Sequence, residues 1–335
     1  MKIELSRKKL LSFGIPVLVL CLVPVFLGGS PHIMHIMIMC LIWAIVATAW
    51  DLVIGYGGIF SVGQVAFFAI GAYTSALMTK VGVNTLGLGI SPWLGILMAG
   101  IIAGVVGFII SLPCLRLKGA YIALVTFALH MTIPPLVRAG QPIGTGGVGS
   151  LVGIPPLQLG SYIFTPMDRL PSYWVALAIF CALMFAVYKI INSRFGLAYV
   201  ALRDDEPFAR SLGINMYRSQ VMLFAISAFI TGIMGGFYAH YLGLISHGIL
   251  GLDIFVLVLV MVIVGGMGKF PGAAIAAFIF TFANELLRPL EGFRAIILGG
   301  IIIAVVILSP QGLMGIPDLV RGFFRRRKPA MEEIK

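Results

Sequence analysis

Charge is what this sequence has least of. Only 10% of its 335 residues are Asp, Glu, Lys or Arg, against about 25% in a soluble domain, whose surface must be solvated. With 60% hydrophobic residues and a mean hydropathy of +1.08, the chain has too little polar surface to cover a water-facing body of its mass. Lipid is therefore expected to be its main solvent. The same shortage excludes a disordered chain, a coiled coil and a nucleic-acid-binding domain, even though the net charge is +11. Acidic residues number 12 against 23 basic ones, and no ladder of intramembrane carboxylates of the kind proton-driven carriers use is visible. Cys21, Cys40, Cys114 and Cys181 lie in or beside apolar runs with no Cys-x-x-Cys spacing, so neither a disulfide framework nor a metal site is indicated. Catalytic motifs are missing too. Ile59, not Gly, stands two positions before Ser61, which removes the nucleophile elbow. Gly268-Lys269 is followed by Phe270 and has Ile263 where a phosphate loop needs its first Gly. No catalytic residue, metal or cofactor is expected on this chain.

What the sequence has in abundance is long apolar runs. A helix needs about 20 apolar residues to cross a hydrocarbon core of about 30 Å. Ten such runs fall near 11–29, 33–54, 58–79, 92–112, 119–137, 172–191, 217–242, 253–267, 271–288 and 293–309. They predict an all-α, polytopic membrane protein of about ten transmembrane helices, one domain over 1–335. Pro16 and Pro24 interrupt the first run and no clean cleavage site follows it, so it reads as an anchor rather than a signal peptide. Lys and Arg stay on the cytoplasmic side of short loops. With the N-terminus inside, 18 of the 23 basic residues fall on that side, and only Lys80, Arg138, Arg169, Arg288 and Arg294 fall outside. Both termini come out cytoplasmic. The basic tail, 321–335 with Arg325-Arg326-Arg327-Lys328, then serves as an orientation anchor or touches anionic headgroups.

Two soluble stretches stand out in this layout, one on each side. Residues 138–171 form an external loop rich in Gly and Pro, suited to a partner or a gate. Residues 192–216 form the longest inside loop, with the charge cluster Arg203-Asp204-Asp205-Glu206. A short helix is predicted there: Asp204 or Asp205 caps it, Pro207 fits its first turn and Gly213 stops it. Phe208, Ala209 and Leu212 share a face and form an apolar knob, while Arg210 and Ser211 point elsewhere. Such a helix either lies on lipid or docks into a partner's groove; the acidic start favours the groove.

Gly55-Tyr56-Gly57-Gly58-Ile59-Phe60-Ser61-Val62-Gly63-Gln64 opens the third span. Irregular backbone in lipid is allowed only where protein or a water-filled cavity covers it, so this stretch is a close-packed crossing or the lining of a path. Gly57, Gly58, Ser61, Gly63 and Gln64 are its candidate path residues, with Ser61 and Gln64 expected one turn apart on one helix face. The segment from Val264 to Gly272 reads as a tight cytoplasmic turn. Asp51, Asp253 and Glu285 all reach an interface in this layout and read as orienting or capping residues, not ion-coupling ones. His130 and His240 read as packed helix residues.

These segments, taken together, resemble the permease subunits of bacterial branched-chain amino acid ABC importers, the LivM-like half of the pair. The resemblance is carried by residues 55–64 with Gly71-Ala72-Tyr73, then Leu115-Arg116-Leu117-Lys118-Gly119-Ala120-Tyr121 and Thr145-Gly146-Gly147. It continues through Ala201-Leu202-Arg203-Asp204-Asp205-Glu206 to Leu212-Gly213-Ile214, then Gly265-Gly266-Met267-Gly268 and Pro310-Gln311-Gly312-Leu313. It implies that the inside helix is a coupling helix, Asp204, Asp205, Glu206, Phe208, Ala209, Leu212 and Gly213, seated in an ATPase. It also implies a second permease subunit in a heterodimer, two nucleotide-binding subunits that use the ATP, and a periplasmic or lipid-anchored solute-binding protein that meets the outer face near Thr145, Gly146 and Gly147. The expected location is the bacterial cytoplasmic (inner) membrane. Pro207 and Phe208 depart from the small residues usual in related loops. Similar permeases also move urea, short amides or aromatic acids, so the substrate stays open among these and branched-chain amino acids. An ion-coupled secondary transporter is the competing reading.

Overall fold

The computed structural model describes residues 18–24, 28–80, 89–117, 119–140, 144–147, 149–159, 162–164, 169–290 and 312–315, with isolated positions between 293 and 307. Most of the expected tenth span, parts of the first, and the tail 321–335 lie outside the described residues. Among the described residues the principal α-helices are α1 (Pro31–Asp51), α2 (Gln64–Thr79), α3 (Pro92–Cys114), α4 (Ala120–Ala139), α5 (Arg169–Ile191), α6 (Arg194–Asp204), α7 (Glu206–Ser211), α8 (Met216–Leu242), α9 (Leu252–Gly265) and α10 (Gly272–Leu286).

Five of them are long and apolar enough to cross a membrane: α1 with its extension to Tyr56, α3, α4, α5 and α8. The shorter α2, α9 and α10 have 16, 14 and 15 residues, about 21–24 Å at 1.5 Å per residue, against a core of about 30 Å. Pro31 and Pro92 stand in the first turns of α1 and α3, where a missing amide costs nothing.

α1 is the central post. Every residue from Cys40 to Asp51 is buried, as expected of a helix that is apolar all round. Its last turn widens into a π-helical turn, Leu52–Tyr56, before the chain breaks at Gly57. α4, by contrast, is largely uncovered by the rest of the chain. α8 packs along both α2 and α3 through small residues. Gly100, Gly104 and Gly107 of α3 sit against Phe229, Ala225 and Ala228 of α8, and Gly71 of α2 against Gly232. In lipid, where apolar side chains gain little by leaving their solvent, close approach of this kind holds helices together.

The all-α expectation needs one amendment. β1 (Ser150–Val152) pairs antiparallel with β4 (Leu244–Ser246), and β2 (Gln158–Leu159) with β3 (Tyr162–Ile163). Strands of two or three residues are too short to show alternation in a sequence. Leu151 and Ile245 point into a satellite core with Tyr73, Val137 and Ala239, so the ladder clamps the long loop to the end of α8.

The loops gather at two opposite ends. One holds β1–β4, Lys80 donating to the Val152 carbonyl at 2.7 Å, and Arg169 donating to the Pro31 carbonyl at 2.7 Å. The other holds α6, α7 and the turn between α9 and α10. Arg138 belongs to α4 and Arg169 opens α5, so the loop expected over 138–171 is shorter than its sequence boundaries.

Candidate coupling and translocation site

The helix predicted in the 192–216 loop is there, and local chemistry sets its ends. Asp205 is the N-cap of α7, its carboxylate accepting the Phe208 amide at 3.0 Å. Pro207 lies in the first turn, Glu206 pairs with Arg210 at 2.6 Å, and Gly213, at φ +81°, turns the chain out. Phe208 and Leu212 are 60% and 63% exposed, large apolar groups facing away from the chain. Ala209 does not share their surface: it is fully buried and packs inward. The apolar knob is therefore Phe208 with Leu212, which stands just past the last helical residue.

A second helix in that loop, α6, has no forecast in the sequence reading. Ser193 caps it by accepting the Gly196 amide at 3.3 Å, Tyr199 anchors it in the main core, and Leu202 is buried as well. Burial pushes the Tyr199 phenol above its ordinary pKa. Asp204 ends α6, so the Arg203-Asp204-Asp205-Glu206 cluster is the joint between α6 and α7 rather than one cap.

Arg203 ties that joint to the membrane helices. Its Nη1 donates to the Gly55 carbonyl at 2.6 Å, while Nε and Nη2 hold the Asp204 carboxylate at 2.9 Å. Next to it, Asp51, 2% exposed, accepts the Gly268 amide at 2.8 Å, and the Tyr56 hydroxyl accepts the Phe270 amide at 3.0 Å. A Cβ on Gly55 would collide with the Gly268 amide, and Gly268 itself has φ +72°, so only glycine fits either side of this contact. Asp51 thus bridges α1 to the α9–α10 turn, a more specific task than orienting a helix end. The turn at Gly265–Gly272 is tight, as expected, and its packing against Gly55 appears only once the chain is folded.

The glycine-rich segment departs from its expected form. α2 begins at Gln64, and residues 57–63 are an irregular connection, so Ser61 and Gln64 do not share a helix face. Ser61 is buried and its carbonyl accepts the Trp50 indole N–H at 2.6 Å. Gln64, 3% exposed, donates to Ser227 Oγ at 2.8 Å and also to the Thr231 hydroxyl. Ser227 in turn donates to the Ala49 carbonyl at 2.5 Å. One polar chain therefore joins α1, α8 and the start of α2. Gly57 and Gly63 are buried, Gly63 facing Thr126 of α4, whereas Gly58, φ +65°, is exposed beside the Arg203 side chain.

At the opposite end, Thr145 closes the turn after α4 by donating to the Val137 carbonyl at 2.6 Å, and Gly146 and Gly147 have φ +84° and +61°. His240 is a packed helix residue, as read from the sequence, and holds this loop: its ring lies 2.8 Å from Ser75 Oγ and 2.7 Å from the Pro155 carbonyl. Among the described residues no group of three or more His, Cys, Asp or Glu is placed to hold a metal ion.

The fold and these two unlike ends define a polytopic helical membrane protein. Within that class the chain belongs to the family described as "Branched-chain amino acid transport system / permease component", whose model matches residues 32–308. The match takes in α1, which the sequence motifs do not reach. The chain is 30% identical over 297 residues to the high-affinity branched-chain amino acid transport system permease protein LivM of Salmonella typhimurium, covering 82% of this chain and 68% of that one. It is 30% identical over 295 residues to LivM of Escherichia coli, with the same coverage. The permease protein LivH of Salmonella typhimurium is 25% identical over 294 residues, covering 83% of this chain and 92% of its own length. No solved structure matches.

Proposed function

We propose that this chain is a membrane-spanning permease subunit of an ATP-driven importer of branched-chain amino acids, in the bacterial cytoplasmic membrane. In this reading it crosses the membrane about ten times with both termini inside, α7 lies in the cytoplasm and the β1–β4 loop outside. It pairs with a second, LivH-like permease and binds two ATPase subunits, which use the ATP; a solute-binding protein docks near Thr145, Gly146 and Gly147.

The observation that carries the reading is α7. Phe208 and Leu212 are exposed on a helix too short to hold itself, and the joint before it is wired by Arg203 to Gly55, beside the Asp51–Gly268 contact. A helix seated in an ATPase would pass its movement through Arg203 to α1 and the α9–α10 turn at once. The glycine-rich connection 57–63 then acts as a gate. Gly57, Ser61, Gly63 and Gln64 are covered by the chain's own helices at rest, so they would meet solute only when α2 shifts against α1 and α8.

The test is uptake by the assembled transporter in vesicles supplied with the binding protein and labelled L-leucine. Uptake should need ATP hydrolysis by the partner and survive collapse of every ion gradient. Uptake that continues when hydrolysis is blocked, and stops when the gradients are dissipated, would make the chain a secondary transporter.

A further inference from the structure

At the end of the bundle opposite α7, helices α1, α8, α9 and α10 leave a cavity of about 410 Å³. That lies within the roughly 300–1,000 Å³ of small-molecule sites. Its lining is graded along the helix axes. Asp253, in the first turn of α9, stands at the mouth and Leu257 lies one turn deeper. Glu285 near the end of α10 and Arg288 just beyond it complete the mouth, joined by an ion pair of 3.0 Å. Trp43 of α1, 7% exposed, and Tyr238 of α8 bring aromatic surface to the cavity.

Both signs of charge stand at the mouth, and the rest of the lining combines aromatic and aliphatic side chains with His35, Thr281 and Asn284. In the proposed orientation Arg288 stands outside, where Lys and Arg are disfavoured as topology signals, so it needs another reason to be there. A carboxylate is what a guanidinium fork fits best, accepting two parallel hydrogen bonds. Asp253 and the Glu285 carboxylate, released when Arg288 turns to such a ligand, are acceptors for an ammonium. Trp43, Tyr238 and Leu257 offer burial to an apolar group and no charge.

We infer that this cavity is the receiving site for a free α-amino acid with an apolar side chain: carboxylate on Arg288, ammonium on Asp253 and Glu285, side chain toward Trp43. The inference rests on the permease reading and adds to it a site and a recognition chemistry. Exchange of one ion pair for another at an exposed mouth also suits a site that must pass its ligand on, since conduction needs binding weak enough to leave.

The experiment uses the assembled transporter in vesicles, without the binding protein, and the fluorescence change that Trp43→Phe abolishes. The probes are L-leucine, leucinamide, which lacks the carboxylate, and 4-methylpentanoate, which lacks the ammonium. L-leucine should give a saturable response, and each analogue should bind about tenfold more weakly, the scale of one lost charge-assisted hydrogen bond. Arg288→Gln should remove the preference over leucinamide, and Asp253→Asn the preference over 4-methylpentanoate. Equal responses to all three probes, or preferences unchanged in both variants, overturn the site. A transporter that drives ATP-dependent L-leucine uptake but shows no Trp43 response also overturns it, and leaves the permease reading standing. A Trp43 response with these preferences, in a transporter without ATP-driven uptake, overturns that reading and leaves the site.

Discussion

Single residues carry the link between the two halves of this molecule. Arg203, its side chain 35% exposed, spends its fork on one backbone carbonyl and one carboxylate, so a lysine, with a point charge and no fork, cannot replace both contacts. Arg203→Lys and Arg203→Ala are expected to leave assembly intact and to cut uptake per ATP hydrolysed by roughly tenfold or more, since a hydrogen bond to a charged group contributes about 1.5–3 kcal/mol. Parallel assays of hydrolysis and uptake check this; equal losses of both would mean that Arg203 only stabilises the fold. Tyr199 makes the opposite case. Its ring is 2% exposed and its hydroxyl is buried without a hydrogen-bond partner among the described residues. Tyr199→Phe should therefore keep or raise the melting temperature of the purified protein, whereas Tyr199→Ala should destabilise it by about 3–5 kcal/mol. A melting temperature several degrees lower for Tyr199→Phe would show that the hydroxyl has a partner after all.

At the scale of the element, α7 is readable because everything that sets it is local. An acidic cap, a proline in the first turn and a glycine stop lie within nine residues of one another, and each acts on its own backbone. Which way the helix faces was not local. Ala209 turned inward because the folded chain had room there, leaving Phe208 and Leu212 outside. Leu212→Asp should place an unpaired carboxylate in any ATPase groove that covers it and cost several kcal/mol. The variant should reach the membrane yet lose the ATPase on purification, or keep it without stimulated hydrolysis. Arg210→Ala is the control, because its exposed pair with Glu206 is worth no more than about 1 kcal/mol. Normal uptake by Leu212→Asp would return α7 to the lipid surface.

In the whole molecule, two sets of loops lie at opposite ends of one helical bundle. The charge split predicts that they lie on opposite sides of the membrane. Ser150 in β1 and Ser211 in α7 are both exposed, and the four native cysteines are free thiols that can be replaced. Single cysteines at these two positions, in a background without the native four, should react with an impermeant thiol reagent from opposite faces of the membrane. Labelling of both from the same face would remove the ten-span orientation, and with it the assignment of α7 to the cytoplasm. Removing β4 pairing would test the ladder, but it would also unfasten the end of α8, so the labelling experiment is the cleaner one.

Composition and spacing alone determined the apolar character, the helical class, the course of the five helices long enough to cross a membrane, and the capped helix that follows Arg203. These depend on how many apolar residues follow one another and on contacts within a few positions, which a linear string records. Tertiary structure decided the rest. Arg203 meets a carbonyl 148 positions away and Asp51 an amide 217 positions away; Gln64 finds Ser227 across the bundle; and α1 joins the consecutive helices α8, α9 and α10 to frame the cavity below Arg288. Chain closure brings such partners together, and no residue type announces which distant carbonyl or amide it will meet. The glycines at 55 and 268 show the limit well: the sequence marks each as a place where backbone irregularity is allowed, and only the fold shows that they make room for one another.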